Sequence, residues 1–205
     1  MKDIKKIWFI LLVFVSASCI YAQERNDSLV IKTEVKPFVT LYHQHHDFFG
    51  NAFSYQGIEG GVIVQRNLYL GVYGAFFASN LKAEINNKLQ YVWIGQGGVH
   101  ATRVFQPEKR FHLGCQLNMG VFTLRYDDEN FGLFETGNAS FKTNGLIVSP
   151  QIFGELIVTE WFNIRTGLSY NFYSFKDHLS IATSDLNHIS FTFGLVFHSN
   201  KGNKK

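Results

Sequence analysis

Apolar and polar residues alternate with period two through nearly all of the chain beyond its N-terminal segment, and no other feature constrains the fold so strongly. In "RFHLGCQLNMGV" (110–121), Phe111, Leu113, Cys115, Leu117, Met119 and Val121 fall on one side. His112, Gly114, Gln116, Asn118 and Gly120 fall on the other. Successive side chains of a strand point to opposite faces, so this is the signature of a β-sheet with two unlike faces. Eight strands are predicted, at about residues 34–43, 54–65, 68–79, 88–105, 110–125, 143–158, 161–175 and 188–198.

The connections separate a soluble sandwich from a membrane barrel. Short ones centre on Arg66-Asn67, Pro107-Glu108 and Glu160, and they alternate with long ones at 44–53, 80–87, 126–142 and 176–187. Short turns at one end and long polar loops at the other are the pattern of a transmembrane β-barrel, with the turns periplasmic and the loops external. Residues 146–158 carry Leu146, Val148, Ile152, Leu156 and Val158 on one face, against Ser149, Gln151 and Glu155 on the other. Residues 162–172 set Phe162, Ile164, Leu168, Tyr170 and Phe172 against Asn163, Arg165, Gly167, Ser169 and Asn171. A soluble surface would carry dense Lys and Glu on the polar side. Small, hydrogen-bonding residues with lone charges instead suit the filled lumen of an eight-stranded barrel. Pro150 falls on the apolar face and requires a bulge or a weakly paired position.

Aromatics make up 16% of the 205 residues and charged residues 17%, with 21 Phe and 3 Pro. That balance excludes disorder and favours strands. Tyr91, Trp93, Tyr170 and Phe172 near the outer strand ends, with Phe111, Phe162 and Phe197 near the inner ends, would form two interfacial girdles. The formal net charge is +3 with no basic stripe, which gives nucleic acid no footprint.

The N-terminus, "MKDIKKIWFILLVFVSASCIYAQ", has a basic start at Lys2, Lys5 and Lys6, an apolar run from Ile7 to Val15, and small residues after it. This reads as a secretory signal over 1–22, cleaved after Ala22; the alternative is lipidation at Cys19. Residues 23–33 form a short periplasmic lead-in, 34–198 the barrel, and 199–205 a basic periplasmic tail. Cleavage leaves Cys115 as the one thiol, placed on the lipid-facing side as a small hydrophobe.

Together these features resemble the small outer-membrane β-barrel proteins of Bacteroidota, similar to the OmpA membrane domain and OmpX and porin-like in pattern. The carrying stretches are "YAQ" (21–23), "VKPFVTLY" (35–42), "GIEGGVIVQRNLYLGVYGAFF" (57–77) and "ISFTFGLVF" (189–197). The last looks like the C-terminal signal read by barrel-insertion machinery, although eight residues follow Phe197. The resemblance covers about 34–198. It implies the Gram-negative cell outer membrane, with outer-membrane lipid, lipopolysaccharide and the insertion machinery as partners.

Three groups of residues invite a functional reading. Lys36, Glu59, Glu155 and Arg165 fall on the lumen face, with Glu155 opposite Arg165 if the Glu160 turn is symmetric, and Glu59 near Tyr73. They form either a gated ion path or a static network in which buried charges satisfy one another; a filled eight-stranded lumen favours the network. His43, His45, His46 and Asp47, in "YHQHHDFFG" (42–50), are expected at the start of the first external loop, where they could form a weak Zn²⁺ or Cu²⁺ site. Tyr42 is expected to face the lumen and His43 the interface. Asp127, Asp128, Glu129, Phe131, Phe134 and Glu135 lie in an acidic, aromatic loop (127–141) that could bind an external protein or glycan or pack over the barrel mouth.

An enzyme would need a nucleophile, a base and an acid in reach of one another. The lipid A deacylase pattern His-x-Ser-Asn is matched by His188 and Ser190, but Phe191 replaces the Asn and no later strand supplies an acid. The functional expectation is therefore a non-enzymatic scaffold, with no cofactor, presenting external loops for interaction, adhesion or envelope integrity. The alternatives are a narrow channel for ions or small solutes, and a lipid-modifying enzyme.

Overall fold

The computed structural model describes residues 35–48, 51–77, 81–85, 88–127, 141–175 and 187–199. At 47–48, 51–53, 77, 81–85, 88–90, 126–127 and 141 only the backbone is described. The signal segment, Cys19, the lead-in and the tail beyond residue 199 lie outside the described residues.

All regular structure among the described residues is β. The strands are β1 (Val35–Phe48), β2 (Asn51–Val64), β3 (Leu68–Phe77), β4 (Leu81–Ile85), β5 (Lys88–Phe105), β6 (Phe111–Asp127), β7 (Phe141–Thr159), β8 (Phe162–Ser174) and β9 (His188–His198). Chain neighbours pair antiparallel from β1 to β3 and from β4 to β9, while β1 pairs with β9 and β3 with β5. The sheet therefore closes on itself. Nine strands make eight staves, because β3 pairs with Gly95–Arg103 of β5 and β4 with Lys88–Val92 of the same strand. The closed, eight-stave antiparallel barrel expected from the alternation is the observed fold, and a two-sheet sandwich is not.

Two expected loops are strands instead. The connection expected at 44–53 is mostly paired: β1 and β2 run on in register to Phe48↔Asn51. Residues 81–85, expected in a loop, are β4. Alternation in "YHQHHDFF" continues past Tyr42, but adjacent histidines disguise it because imidazole suits both faces. The other two long connections, 128–140 and 176–186, lie outside the described residues.

The short connections lie at one end, with both ends of the barrel chain. Gln65 and Arg66 take positive φ, 52° and 66°, to turn β2 into β3. Gln106 does the same, at 53°, between β5 and β6. One register irregularity falls between Ile157 and Thr159, just before the Glu160 turn. Pro150 has no such shift. Its pairing with β6 persists at Leu117, and the β7–β8 ladder is interrupted between Val148↔Phe172 and Gln151↔Ser169. A residue without an N–H is accommodated by that gap.

The faces are inverted relative to a soluble protein. Ile152 is 67% exposed, and Glu155, three residues along the same strand, is 0%. Val39, Leu41, Ile58, Val72, Val121, Leu146 and Ile189 are exposed on the outward side. Only a non-aqueous solvent makes such a belt favourable, and a closed barrel satisfies every stave's backbone within it.

The inward side is not uniformly polar. Tyr55, Ala75, Val92, Ile94, Phe122, Leu124, Ile147 and Tyr173 form one buried apolar cluster, at the end where β4 and the outer half of β5 lie. Phe38, Ile63, Tyr69, Val104 and Phe153 form a second, at the short-turn end. Apolar side chains thus pack into the lumen toward both ends.

Candidate functional site in the barrel lumen

Polar side chains fill the space between the two apolar clusters. Their centre is Arg165 of β8, which sits directly opposite Glu155 of β7. The Arg165 guanidinium donates to Glu155 Oε2 from Nε at 2.7 Å, and its NH2 lies 2.7 Å from the same oxygen. Glu155 Oε1 accepts from Asn163 Nδ2 at 2.7 Å and lies 3.4 Å from His112 Nε2. Arg165 NH1 donates to Gln116 Oε1 at 3.1 Å and lies 3.8 Å from Glu59 Oε2. Gln116 in turn donates to Glu59 Oε1 at 2.7 Å and to Asn118 Oδ1 at 2.8 Å, and accepts from Thr102 at 2.9 Å.

The guanidinium also lies 4.3 Å from the Phe153 ring centre and 5.5 Å from that of Tyr69. Its charge is thus held by two carboxylates and two ring faces. Burying a charge is costly unless it is paired, and the two carboxylates and two ring faces supply that pairing here.

Of the residues read as a lumen network, Glu59, Glu155 and Arg165 meet in this cluster. Tyr73 is opposite Glu59 in register, and both line a small central cavity with Tyr42, Gln44, Gln96, Asn118, Ser149, Gln151 and Thr192. The cavity measures about 10 Å³, room for about one water. Lys36 is half-buried on the inward side near the start of β1, opposite Ile63. Gln116, Asn163 and His112 were legible only as members of the polar face. Gln116 meets Arg165 across three strands, β6 to β8, and Asn163 and His112 join the cluster through Glu155.

The histidine stretch needs correction. His45 and His46 were expected together in water at a loop start. They belong to β1 instead, and the pleat sends them to opposite faces. His43 and His45 are exposed on the outer wall, whereas His46 is 1% exposed inside the barrel. A common ion cannot be reached from both sides of one strand. Asp47 is in β1, and its side chain lies outside the described residues. Among the described residues, no three His, Cys, Asp or Glu side chains converge as metal ligands.

His46 has partners from distant strands. Its Nδ1 contacts His188 Nε2 of β9. The Asn171 carboxamide nitrogen of β8 lies 3.5 Å from the first nitrogen and 3.4 Å from the second, and donates to Ser190 Oγ at 2.5 Å. Ser149 Oγ of β7 donates to Asn171 Oδ1 at 2.6 Å. Tyr55 packs edge-on against the His46 ring at 4.5 Å. His188 and Ser190 therefore both belong to a luminal polar cluster, with Ser190 1% exposed.

In the acidic segment, Asp127 ends β6 opposite Tyr91. Asp128, Glu129, Phe131, Phe134 and Glu135 lie outside the described residues. Cys115 is half-buried on the outer wall and unpaired as a thiol. Of the inner-end aromatics, Phe162 and Phe197 meet at the β8–β9 pair, 5.3 Å apart, with Trp161 stacked on Phe197 at 6.2 Å, while Phe111 lies on β6 opposite Leu156.

No protein-family model matches the chain, and no curated protein does. Among solved structures, the barrel is similar to Neisserial surface protein A, with a TM-score of 0.58 at 10% identity, over 80% of this chain and 96% of that one. It is also similar, with a TM-score of 0.48 at 11% identity, to Ail, the attachment invasion locus protein of Yersinia pestis, over 82% of this chain and 100% of that one. A major outer membrane protein from Thermus thermophilus gives 0.49 at 7% identity, over 80% and 99%. What the chain shares with Neisserial surface protein A is the fold, a small closed β-barrel of the outer-membrane type.

Proposed function

We propose that the protein is a non-enzymatic outer-membrane scaffold whose barrel is sealed and whose activity lies at its external end, in interaction, adhesion or envelope integrity. The observation that carries this reading is the filled lumen. Paired charges occupy its middle, apolar clusters pack toward both ends, and the central cavity measures about 10 Å³. A path for hydrated ions needs continuous space, and these side chains occupy it. With the short turns periplasmic, the connections at 128–140 and 176–186 would belong to the external side. There, residues 127–141 would offer carboxylates and aromatics to a protein or glycan. The outward belt would contact outer-membrane lipid and lipopolysaccharide, and the strand ending at Phe197 would engage the insertion machinery.

The enzyme reading loses support from the same geometry. His188 and Ser190 face the lumen, away from lipid, and the Ser190 hydroxyl is engaged by Asn171. No carboxylate belongs to that cluster among the described residues.

Planar-bilayer recording of the purified barrel tests the proposal, with no steady conductance as the expected result. Steady openings that vanish in Arg165→Ala would overturn it in favour of a channel. An altered lipid A mass spectrum in expressing cells would overturn it in favour of an enzyme. A mobility shift on boiling, with proteolysis of whole cells confined to the loops, is expected for the orientation given.

A further inference from the structure

We propose that His46 and His188 form an internal site for one divalent transition-metal ion, Zn²⁺ or Cu²⁺, at the seam where the first strand closes on the last. The two ring nitrogens, His46 Nδ1 and His188 Nε2, face each other directly. They come from β1 and β9, so the pair exists only when the barrel is closed. Imidazole nitrogen is a ligand suited to zinc and copper.

The third ligand is Asn171. As placed, its amide nitrogen points at both imidazoles while its oxygen accepts from Ser149. The two ends of a carboxamide exchange by a half-turn about χ2, and hydrogen-bond partners decide between them. Both partners here, Ser149 and Ser190, are hydroxyls that donate or accept equally well. The exchange therefore keeps both serine hydrogen bonds and gives up only the long amide-nitrogen contacts to the two imidazoles, at 3.5 and 3.4 Å. It turns Asn171 Oδ1 toward the two nitrogens, giving two imidazoles and one amide oxygen from three adjacent strands, with Ser190 Oγ beside them.

The rings are held for this role. Tyr55 packs edge-on to His46 at 4.5 Å, and Tyr173 stacks near His188 at 6.1 Å. Zinc–nitrogen bonds of about 2.0–2.1 Å require the two facing nitrogens to part. His188, half-buried at the first residue of β9, can supply that movement. An ion here would tie β1, β8 and β9 together near the external end of the lumen. Pattern reading misses such a site because its ligands are 125 and 142 residues from His46 in the chain.

The test is titration of the refolded, detergent-solubilised protein with Zn²⁺ by calorimetry, and with Cu²⁺ by electron paramagnetic resonance. One ion per chain is expected, with copper hyperfine structure from two nitrogens. His188→Ala and His46→Gln should each weaken binding by at least about tenfold, the loss that removal of one supporting partner already causes at a metal site. Asn171→Asp, which adds charge while keeping shape, should tighten it. His43→Ala/His45→Ala, on the outer wall, should leave it unchanged. Each variant is scored only as the heat-modifiable, folded form, and Asn171→Asp decides the matter where a histidine variant fails to fold. The proposal is overturned by absence of binding to the folded wild type, which would leave an imidazole pair sharing a proton. It is equally overturned by affinity unchanged in His188→Ala, by Asn171→Asp failing to tighten binding, or by loss of binding in the His43/His45 variant.

Discussion

Arg165 grips Glu155 from the directly opposed position of the neighbouring strand, and both its Nε and its NH2 converge on one carboxylate oxygen, Oε2. The other oxygen is thereby left to Asn163 and His112. Truncating the arginine strands a carboxylate that is 0% exposed. Loss of one partner from a buried pair costs about 3–5 kcal/mol, so Arg165→Ala should lower the urea midpoint of the refolded barrel sharply. Replacing all three charged members, Glu59→Gln and Glu155→Gln with Arg165→Met, should cost less than the single change, because no unpaired charge remains in the cluster. A midpoint unmoved by Arg165→Ala would mean that water reaches Glu155 and that the lumen is open.

A second expectation concerns how tightly the wall curls. Gly98 of β5 and Gly120 of β6 are opposed in register on the inward side. A Cβ on Gly98 would run into the Met119 carbonyl oxygen, and one on Gly120 into the Gly97 carbonyl and the Tyr73 hydroxyl. The obstacles at Gly98 are backbone atoms, which cannot rotate away. Gly98→Val should therefore reduce the heat-modifiable fraction recovered on refolding. Gly74→Ala, where nothing lies within 4 Å of the added carbon, should refold like wild type. Equal yields from the two variants would rule out close strand approach as the reason for the glycine.

The contrast between these two sites shows how far the sequence could be read. Period two identified the staves, the closed fold and the lumen side of Glu59, Glu155 and Arg165, because strand alternation is local and a filled lumen demands sparse polarity. It also led to Glu155 facing Arg165, since a short turn transmits register over a few residues. It did not lead to the apolar clusters. Tyr55, Ile94, Phe122, Leu124 and Ile147 are apolar residues on the inward side, and in stretches such as "YVWI" (91–94) they erase the alternation they belong to. Nor did it place His46. Its partners depend on closure of β1 against β9, a contact between opposite ends of the chain that no local pattern reports.

Cys115 offers a direct test of which face meets lipid. It sits on the outer wall between Arg103 and Ile152 in register. There it lines a groove of about 510 Å³ with Leu113, Ile152, Gly154, Thr166, Leu168 and Phe191. In a Cys19→Ser background, a fluorophore attached to Cys115 should be quenched by lipids carrying nitroxides on their acyl chains. A membrane-impermeant maleimide should label the thiol in unfolded protein and leave it unmodified in the vesicle-embedded form. Rapid labelling in vesicles, or quenching only by an aqueous quencher, would place this wall in water and remove the membrane reading.

The last prediction concerns the β2–β3 turn. Gln65 and Arg66 both adopt left-handed φ, 52° and 66°, a conformation that costs a residue with a Cβ roughly 1–2 kcal/mol. Glycine removes that cost at Arg66 but adds backbone freedom to the unfolded chain worth roughly 0.5–1 kcal/mol. The net effect of Arg66→Gly should be a stabilisation of about 0.5–1 kcal/mol, seen as a higher urea midpoint. Arg66→Pro should act in the opposite sense and more strongly, since the ring fixes φ near −65° and forbids the turn. The pair separates backbone geometry from side-chain loss, because both variants remove the same guanidinium. Destabilisation of similar size in the two would show that the arginine side chain, and not its φ, holds the turn.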